Sequence, residues 1–337
     1  ANELLRSTND LDWQKAKINI RRALEPPWVM LLTQFNALPD GIKFLVDMRS
    51  ELMDFAKTDN IFAELETDLK SLLSTWFYVD FLELRLITWE NTPAATLEKL
   101  IDYEAVHAIE SWNDMKNRLE SDRRFFAYFH PRMPEEPIIF VEVALVDGIA
   151  ENISDLLDEK APIVDPASAN TAIFYSISNA QKGLKGISFG NFLIKRVVGQ
   201  LSSELPNLKL FSTLSPIPGF RKWCDVKYIG QSKPLGSSIL NSTETRSELL
   251  KLAAHYLTEV KGVNKEAFDR VAHFHLYNGA RIEKINWMAD QSTRGLKQSA
   301  GMMVNYVYDL DTIEDNHEAY TTNGTIAVSN NVKGLLT

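Results

Sequence analysis

The chain has 337 residues, 45% of them hydrophobic and 24% charged, with a formal net charge of -9. That length suits about two domains, and the composition is that of an ordinary soluble globular chain. The acidic balance argues against a nucleic-acid partner, and no apolar run approaches the roughly 18–20 residues that span a bilayer.

A single cysteine, Cys224, excludes an intrachain disulfide and a thiolate metal cage, and it fits a reducing compartment. The opening ANELLRSTND lacks the basic and apolar regions of a signal peptide. The expectation is a cytoplasmic protein with no membrane association.

The first 78 residues read as helices. Leu45, Met48, Leu52 and Phe55 recur at helical spacing, as do Phe62, Leu65, Leu69, Leu72 and Trp76. Pro26-Pro27 and Pro39-Asp40-Gly41 punctuate them. No catalytic constellation falls here, so residues 1–78 are expected to form a helical bundle that packs or oligomerises. From Phe81 the texture changes. Strand-like runs appear at Phe81–Trp89, Phe125–Phe129, Pro137–Val146, Thr171–Ser178, Leu208–Thr213, Ile282–Asp290 and Met302–Leu310. Helical patterns lie between them, marked by Ile194, Val197, Val198 and Leu201, and by Leu249, Leu252, Ala253, Tyr256 and Leu257. The expected fold class is α+β, with a mixed second domain over residues 79–337.

Three stretches could carry chemistry. The first, Thr171 to Gln200, takes a strand into a loop with Gly183, Gly186 and Gly190 and then into a helix, with Lys182, Lys185, Lys195 and Arg196 alongside. Glycines and a helix start can cradle an anion, although neither a P-loop nor a GxGxxG pattern is present. A plain strand–helix turn fits the same residues. In the second, LSPIPGF, two prolines fix φ just after Ser215, so the turn is either punctuation or a stiff mount for that hydroxyl. In the third, VAHFHLYNGA, His273 and His275 alternate on a strand-like segment, which would put both on one face. The choice there is between a functional and a structural histidine, and the partners of a recognised metal site are absent.

Together and in this order these stretches resemble the malonyl-CoA decarboxylase family. The strings are FFAYFHPRMPEEPIIFVEVAL, AIFYSIS, QKGLKGISFGNFLIKRVV, FSTLSPIPGF, VAHFHLYNGA and INWMADQSTRGLKQSAGMMVNY, with RRALEPPW and LPDGIKFLVDMRSEL nearer the start. The resemblance runs from about residue 20 to 310. It implies a helical N-terminal domain and a catalytic domain with the GNAT acetyltransferase fold. It implies conversion of malonyl-CoA to acetyl-CoA and carbon dioxide, with no cofactor and no metal. The catalytic serine and histidine fall on Ser215 and His275, and a supporting tyrosine on Tyr308. The acyl-CoA loop falls on Lys185, Gly186, Ile187, Ser188, Phe189, Gly190 and Asn191. Some relatives carry a supporting Glu where this chain has Ser188. The relatives' C-terminal peroxisomal tripeptide is missing, in keeping with the cytoplasmic expectation. Homodimers or tetramers are implied as well.

The chemistry matches those residue types. Loss of carbon dioxide leaves a thioester enolate, so a site must hold CoA, stabilise an oxyanion and return a proton to carbon. Histidine, with an ordinary pKa of about 6.5, suits the proton step. Which of Ser215 and His275 delivers it stays open on the sequence. Two alternatives share the scaffold, a GNAT-type acyltransferase and a non-catalytic acyl-CoA sensor.

Overall fold

The structure is a computed structural model and describes residues 10–24, 26–187, 193–227, 243–262 and 264–337. It has a helical N-terminal region followed by mixed helix and sheet. The described residues group into two compact units, one drawn from Ala1–Glu83, Phe129–Ile138 and Gln181–Phe189 and the other from the rest.

The first unit holds the helices Asp10–Leu24, Pro27–Gln34, Gly41–Phe55 and Asn60–Trp76. Pro27 opens its helix where a missing N–H costs nothing. Asp59 starts the last one by accepting from the Ile61 N–H at 2.8 Å. Leu45, Val46 and Leu52 are buried on one helix, Leu69 and Leu73 on another. Each such side chain contributes about 1.5–3 kcal/mol when fully buried. Phe55, on the apolar stripe read from spacing, is instead exposed, while Arg49 is buried.

The sheet, most of whose residues belong to the second unit, consists of β1 (Glu83–Ile87), β2 (Arg123–His130), β3 (Met133–Val146), β4 (Thr171–Asn179), β5 (Leu210–Thr213), β6 (Ser215–Pro216), β7 (Arg281–Asn286) and β8 (Met303–Tyr308). The order is β1-β2-β3-β4-β5-β8-β6, with β7 also on β8. Every strand-like run of the sequence overlaps one of these strands.

Two irregularities shape the site. Glu142 faces Ser176 and Val143 faces Phe174, so Tyr175 is an extra residue that bulges β4. β5 runs parallel to β4 only from Thr171–Leu210 to Phe174–Thr213. Beyond that pair β4 has no β5 partner. β5 and β6 share one antiparallel register on β8, with Phe211 opposite Tyr308 and Ser215 opposite Val304. Leu214 interrupts them, and its N–H goes across to Phe174 O at 3.0 Å.

Candidate active site

Ser215 stands just past the point where β5 leaves β4. Its hydroxyl is buried, 2.9 Å from Thr213 Oγ1 and 3.0 Å from His275 Nε2. Thr213 and Ser215 are two residues apart on one extended segment, so both hydroxyls lie on the same face. The Pro216-Ile217-Pro218-Gly219 turn then leads into the helix Phe220–Lys227.

His275 arrives from a helix, Arg270–Tyr277, and not from a strand. This corrects the strand-like reading of that stretch. Asp269 caps the helix, accepting from the N–H groups of Val271 and Ala272 at 2.9 and 3.1 Å. On a helix, residues two apart point roughly 200° away from each other, so His273 and His275 do not share a face. His275 is buried against Ser215, and His273 Nδ1 instead meets the Tyr320 hydroxyl at 2.8 Å. An H-x-H chelate is therefore ruled out by geometry. Among the described residues no group of three or more His, Cys, Asp or Glu could hold a metal.

Tyr308 on β8 completes the row, its hydroxyl 2.7 Å from His275 Nδ1. Tyr306 stacks on the imidazole with centroids 4.5 Å apart. Burial pushes the His275 pKa down to about 3 and lifts Tyr308 well above its usual value. The ring is therefore neutral near pH 7, and the phenol keeps its proton.

Asp269 also ties the two arms together. Its other oxygen accepts from the Gly219 N–H at 3.4 Å and from the Tyr256 hydroxyl at 3.2 Å. One carboxylate thus braces the turn after Ser215 and the start of the His275 helix. A side chain at Gly219 would force a shift, because a Cβ there would lie 2.3 Å from the Tyr256 oxygen.

The glycine loop belongs to the first unit as far as Ile187. Arg49, 2% exposed, donates to Gly183 O at 2.5 Å, to Lys185 O at 3.0 Å and to Glu66 at 2.7 and 2.9 Å. Gly183 lies against the helix Gly41–Phe55, where a Cβ would meet Val46 O at 1.8 Å. Gly186 has φ +74°, a region natural to glycine. Lys182 lies 3.6 Å from Asp54, and Lys195 pairs with Glu314 at 2.5 Å. Arg196 lies over the Tyr128 ring. Ser188, Phe189, Gly190 and Asn191 lie outside the described residues.

Sequence reasoning missed Thr213, Asp269, Tyr306 and Arg49. Two signals were available. Thr-x-Ser in an extended run places the hydroxyls together. An Asp directly before Arg270 announces a helix start.

The malonyl-CoA decarboxylase N-terminal domain pattern matches residues 2–77, and the malonyl-CoA decarboxylase C-terminal domain pattern matches residues 80–337. A malonyl-CoA decarboxylase of Anser anser anser, named mitochondrial, is 37% identical over 91% of this chain and 68% of its own length. The crystal structure of malonyl-CoA decarboxylase from Rhodopseudomonas palustris is 41% identical with a TM-score of 0.88, covering 95% of this chain and 82% of that one. The one from Agrobacterium vitis is also 41% identical with a TM-score of 0.88, covering 100% and 85%.

Proposed function

The chain belongs to the malonyl-CoA decarboxylase family, and from that premise we propose that it converts malonyl-CoA to acetyl-CoA and carbon dioxide. The observation that carries this reading to particular residues is the buried 3.0 Å contact between Ser215 and His275.

The bond between the α-carbon and the carboxylate breaks, and its electron pair passes into the thioester as an enolate. The β4 edge beyond Phe174, which β5 leaves unpaired, offers N–H donors to the enolate oxygen. One such donor is worth about 3–4 kcal/mol in a comparable oxyanion hole. His275 then returns a proton to the α-carbon. Burial alone keeps the ring neutral, but a malonyl carboxylate beside it supplies the opposing charge that favours the cation. The ring takes up one proton as substrate binds and gives it up from Nε2, directly or through Ser215 Oγ. It ends neutral, and charge and atoms balance.

Lys185, Gly186, Ile187, Ser188, Phe189, Gly190 and Asn191 hold the CoA phosphates in this reading. The left-handed backbone at Gly186 supports a turned loop there. The thioester is its own electron sink, so the reaction needs neither metal nor cofactor. Residues 1–78 assemble homodimers or tetramers, a role supported by exposed Trp13, Met30, Leu31, Phe44 and Ile61. A monomer at micromolar concentration would count against that role. A cytoplasmic location rests on the sequence alone. No helix among the described residues is long and apolar enough to cross a membrane.

The test is incubation of the purified protein with malonyl-CoA and EDTA, followed by mass spectrometry of the CoA esters. Acetyl-CoA is expected without any added acceptor. His275→Asn and Ser215→Ala should each lose about 100-fold or more in kcat, the scale of general acid–base catalysis. Intact malonyl-CoA with the unaltered protein overturns the activity. Near-normal kcat in both variants overturns the residue assignment.

A further inference from the structure

The hydrogen bonds around Ser215 have a direction. Tyr308 keeps its phenolic proton in its buried setting, and among the described residues the acceptor bonded to it is His275 Nδ1 at 2.7 Å. A neutral imidazole that accepts at Nδ1 carries its proton on Nε2. Nε2–H therefore donates to Ser215 Oγ at 3.0 Å, and the serine O–H must find another acceptor. It does so at Thr213 Oγ1, 2.9 Å away.

Thr213 is held for that task. Its Oγ1 also accepts from the Tyr306 N–H at 3.1 Å, where two facing strands would normally exchange backbone bonds. Its carbonyl accepts from Asn305 Nδ2 at 2.7 Å, and Asn305 Oδ1 in turn accepts from Asn286 Nδ2 at 2.6 Å. Thr213, Asn305 and Asn286 are all buried. The interruption between β5 and β6 is thus bridged by side chains, and the threonine oxygen has both lone pairs occupied by donors.

We infer that Thr213 is a positioning residue that sets the polarity of the Tyr308–His275–Ser215 row, keeping the imidazole proton on Nε2 and Ser215 Oγ as its acceptor. The inference rests on the reading of Ser215 and His275 as the protonating pair. The opposite polarity has Ser215 donating to Nε2 and Nδ1–H donating to Tyr308. That is the arrangement of a nucleophilic serine and its base, with the ring proton on the side away from Ser215. Without the Thr213 oxygen the two polarities make equal numbers of hydrogen bonds, since each strands one hydroxyl, on Ser215 or on Tyr308. With it, among the described residues, the donors of Tyr308, His275 and Ser215 all find acceptors in one polarity, whereas the other leaves the Tyr308 O–H without one.

The test reads the ring directly. Protein labelled with ¹⁵N-histidine is studied by NMR at pH 7 without substrate, and the His275 signals are identified by their loss in His275→Asn. The expected result is an Nε2–H tautomer in the unaltered protein. Thr213→Val should add an Nδ1–H population and lower kcat about fivefold, the scale of one net hydrogen bond, with KM for malonyl-CoA unchanged. Thr213→Ser should restore both readouts. An Nδ1–H tautomer in the unaltered protein overturns the proposal even if Thr213→Val fails to fold. An unchanged tautomer and kcat in a folded Thr213→Val overturns it as well. Failure of the decarboxylase reading is separate, because it is read from the kcat of Ser215→Ala and His275→Asn.

Discussion

Arg118 and His275 lie in the same unit and are each 3% exposed, yet one holds a charge and the other does not. Arg118 donates to Asp114 at 2.8 and 3.2 Å and to Glu142 at 2.9 Å. Burial opposes its charge, but Glu142 and Asp114 outweigh burial and raise its pKa. His275 is surrounded by hydroxyls and an aromatic face, and burial alone drives it neutral. Burial opposes the charge at both sites; carboxylate neighbours reverse the shift at Arg118, whereas at His275 burial acts unopposed, so the neighbours decide the direction of the shift. At Arg118 the partners are built in. At His275 the partner is left for the substrate carboxylate to supply. A permanent carboxylate there would hold the proton in place and compete with that role.

Removing the partner on the charged side gives the largest expected effect. Arg118→Met leaves the Glu142 and Asp114 carboxyls buried together, and stability should fall by about 3–5 kcal/mol. Urea unfolding reads this, and Arg118→Met/Glu142→Gln should recover part of the loss. A loss below about 1 kcal/mol would place this cluster with exposed ion pairs and remove the contrast.

The neutral side depends on geometry, so it should break by displacement. Gly219→Ala forces a methyl to 2.3 Å from the Tyr256 oxygen, a crowding that costs about 1–3 kcal/mol. Because Asp269 links Gly219 to the His275 helix, kcat should fall along with stability. Adding Tyr256→Phe removes the crowding atom and should restore part of both, since it also takes one donor from Asp269. If kcat stays normal while stability falls, the brace is structural only.

The strands were legible because runs rich in Ile, Val, Phe and Tyr, bounded by Gly, Pro, Asn or Asp, mark strands, and the central ones are buried along nearly their whole length. The His273–His275 segment was not, because a short apolar run reads alike as strand or helix. Asp269 would have settled it as an N-cap. Ser215 stood out through its prolines. Thr213 did not, since nothing in a lone hydroxyl says that a β-ladder has opened around it. Arg49 shows the reverse failure. It lies on the same helix face as Leu45 and Leu52, and a charge there reads as solvated until Gly183 and Lys185, over 130 residues away in sequence, present their carbonyls. Local spacing predicts elements. Long-range satisfaction of buried polar groups determines what those elements hold.

The smallest expected effect per step is spread over a wide pH range. The His275 pKa is about 3 in the folded chain and about 6.5 when unfolded. Above about 6.5 both states are neutral, and the group contributes nothing to the slope. As pH falls below that, the unfolded chain binds a proton that the folded chain refuses, so stability drops by up to about 1.4 kcal/mol per pH unit. The loss levels off near pH 3, where the folded ring also charges. Asp269, raised by burial, has the opposite sign, since the folded state then holds the extra proton. A single curve therefore mixes several groups, and the informative quantity is the difference between the unaltered protein and His275→Asn. Unfolding free energies from pH 7 to 4 should show the unaltered protein losing stability faster than the variant. Parallel curves would mean that the folded ring charges as readily as the unfolded one. The contrast with Arg118 would then collapse, and the substrate would no longer be needed to bring the proton in.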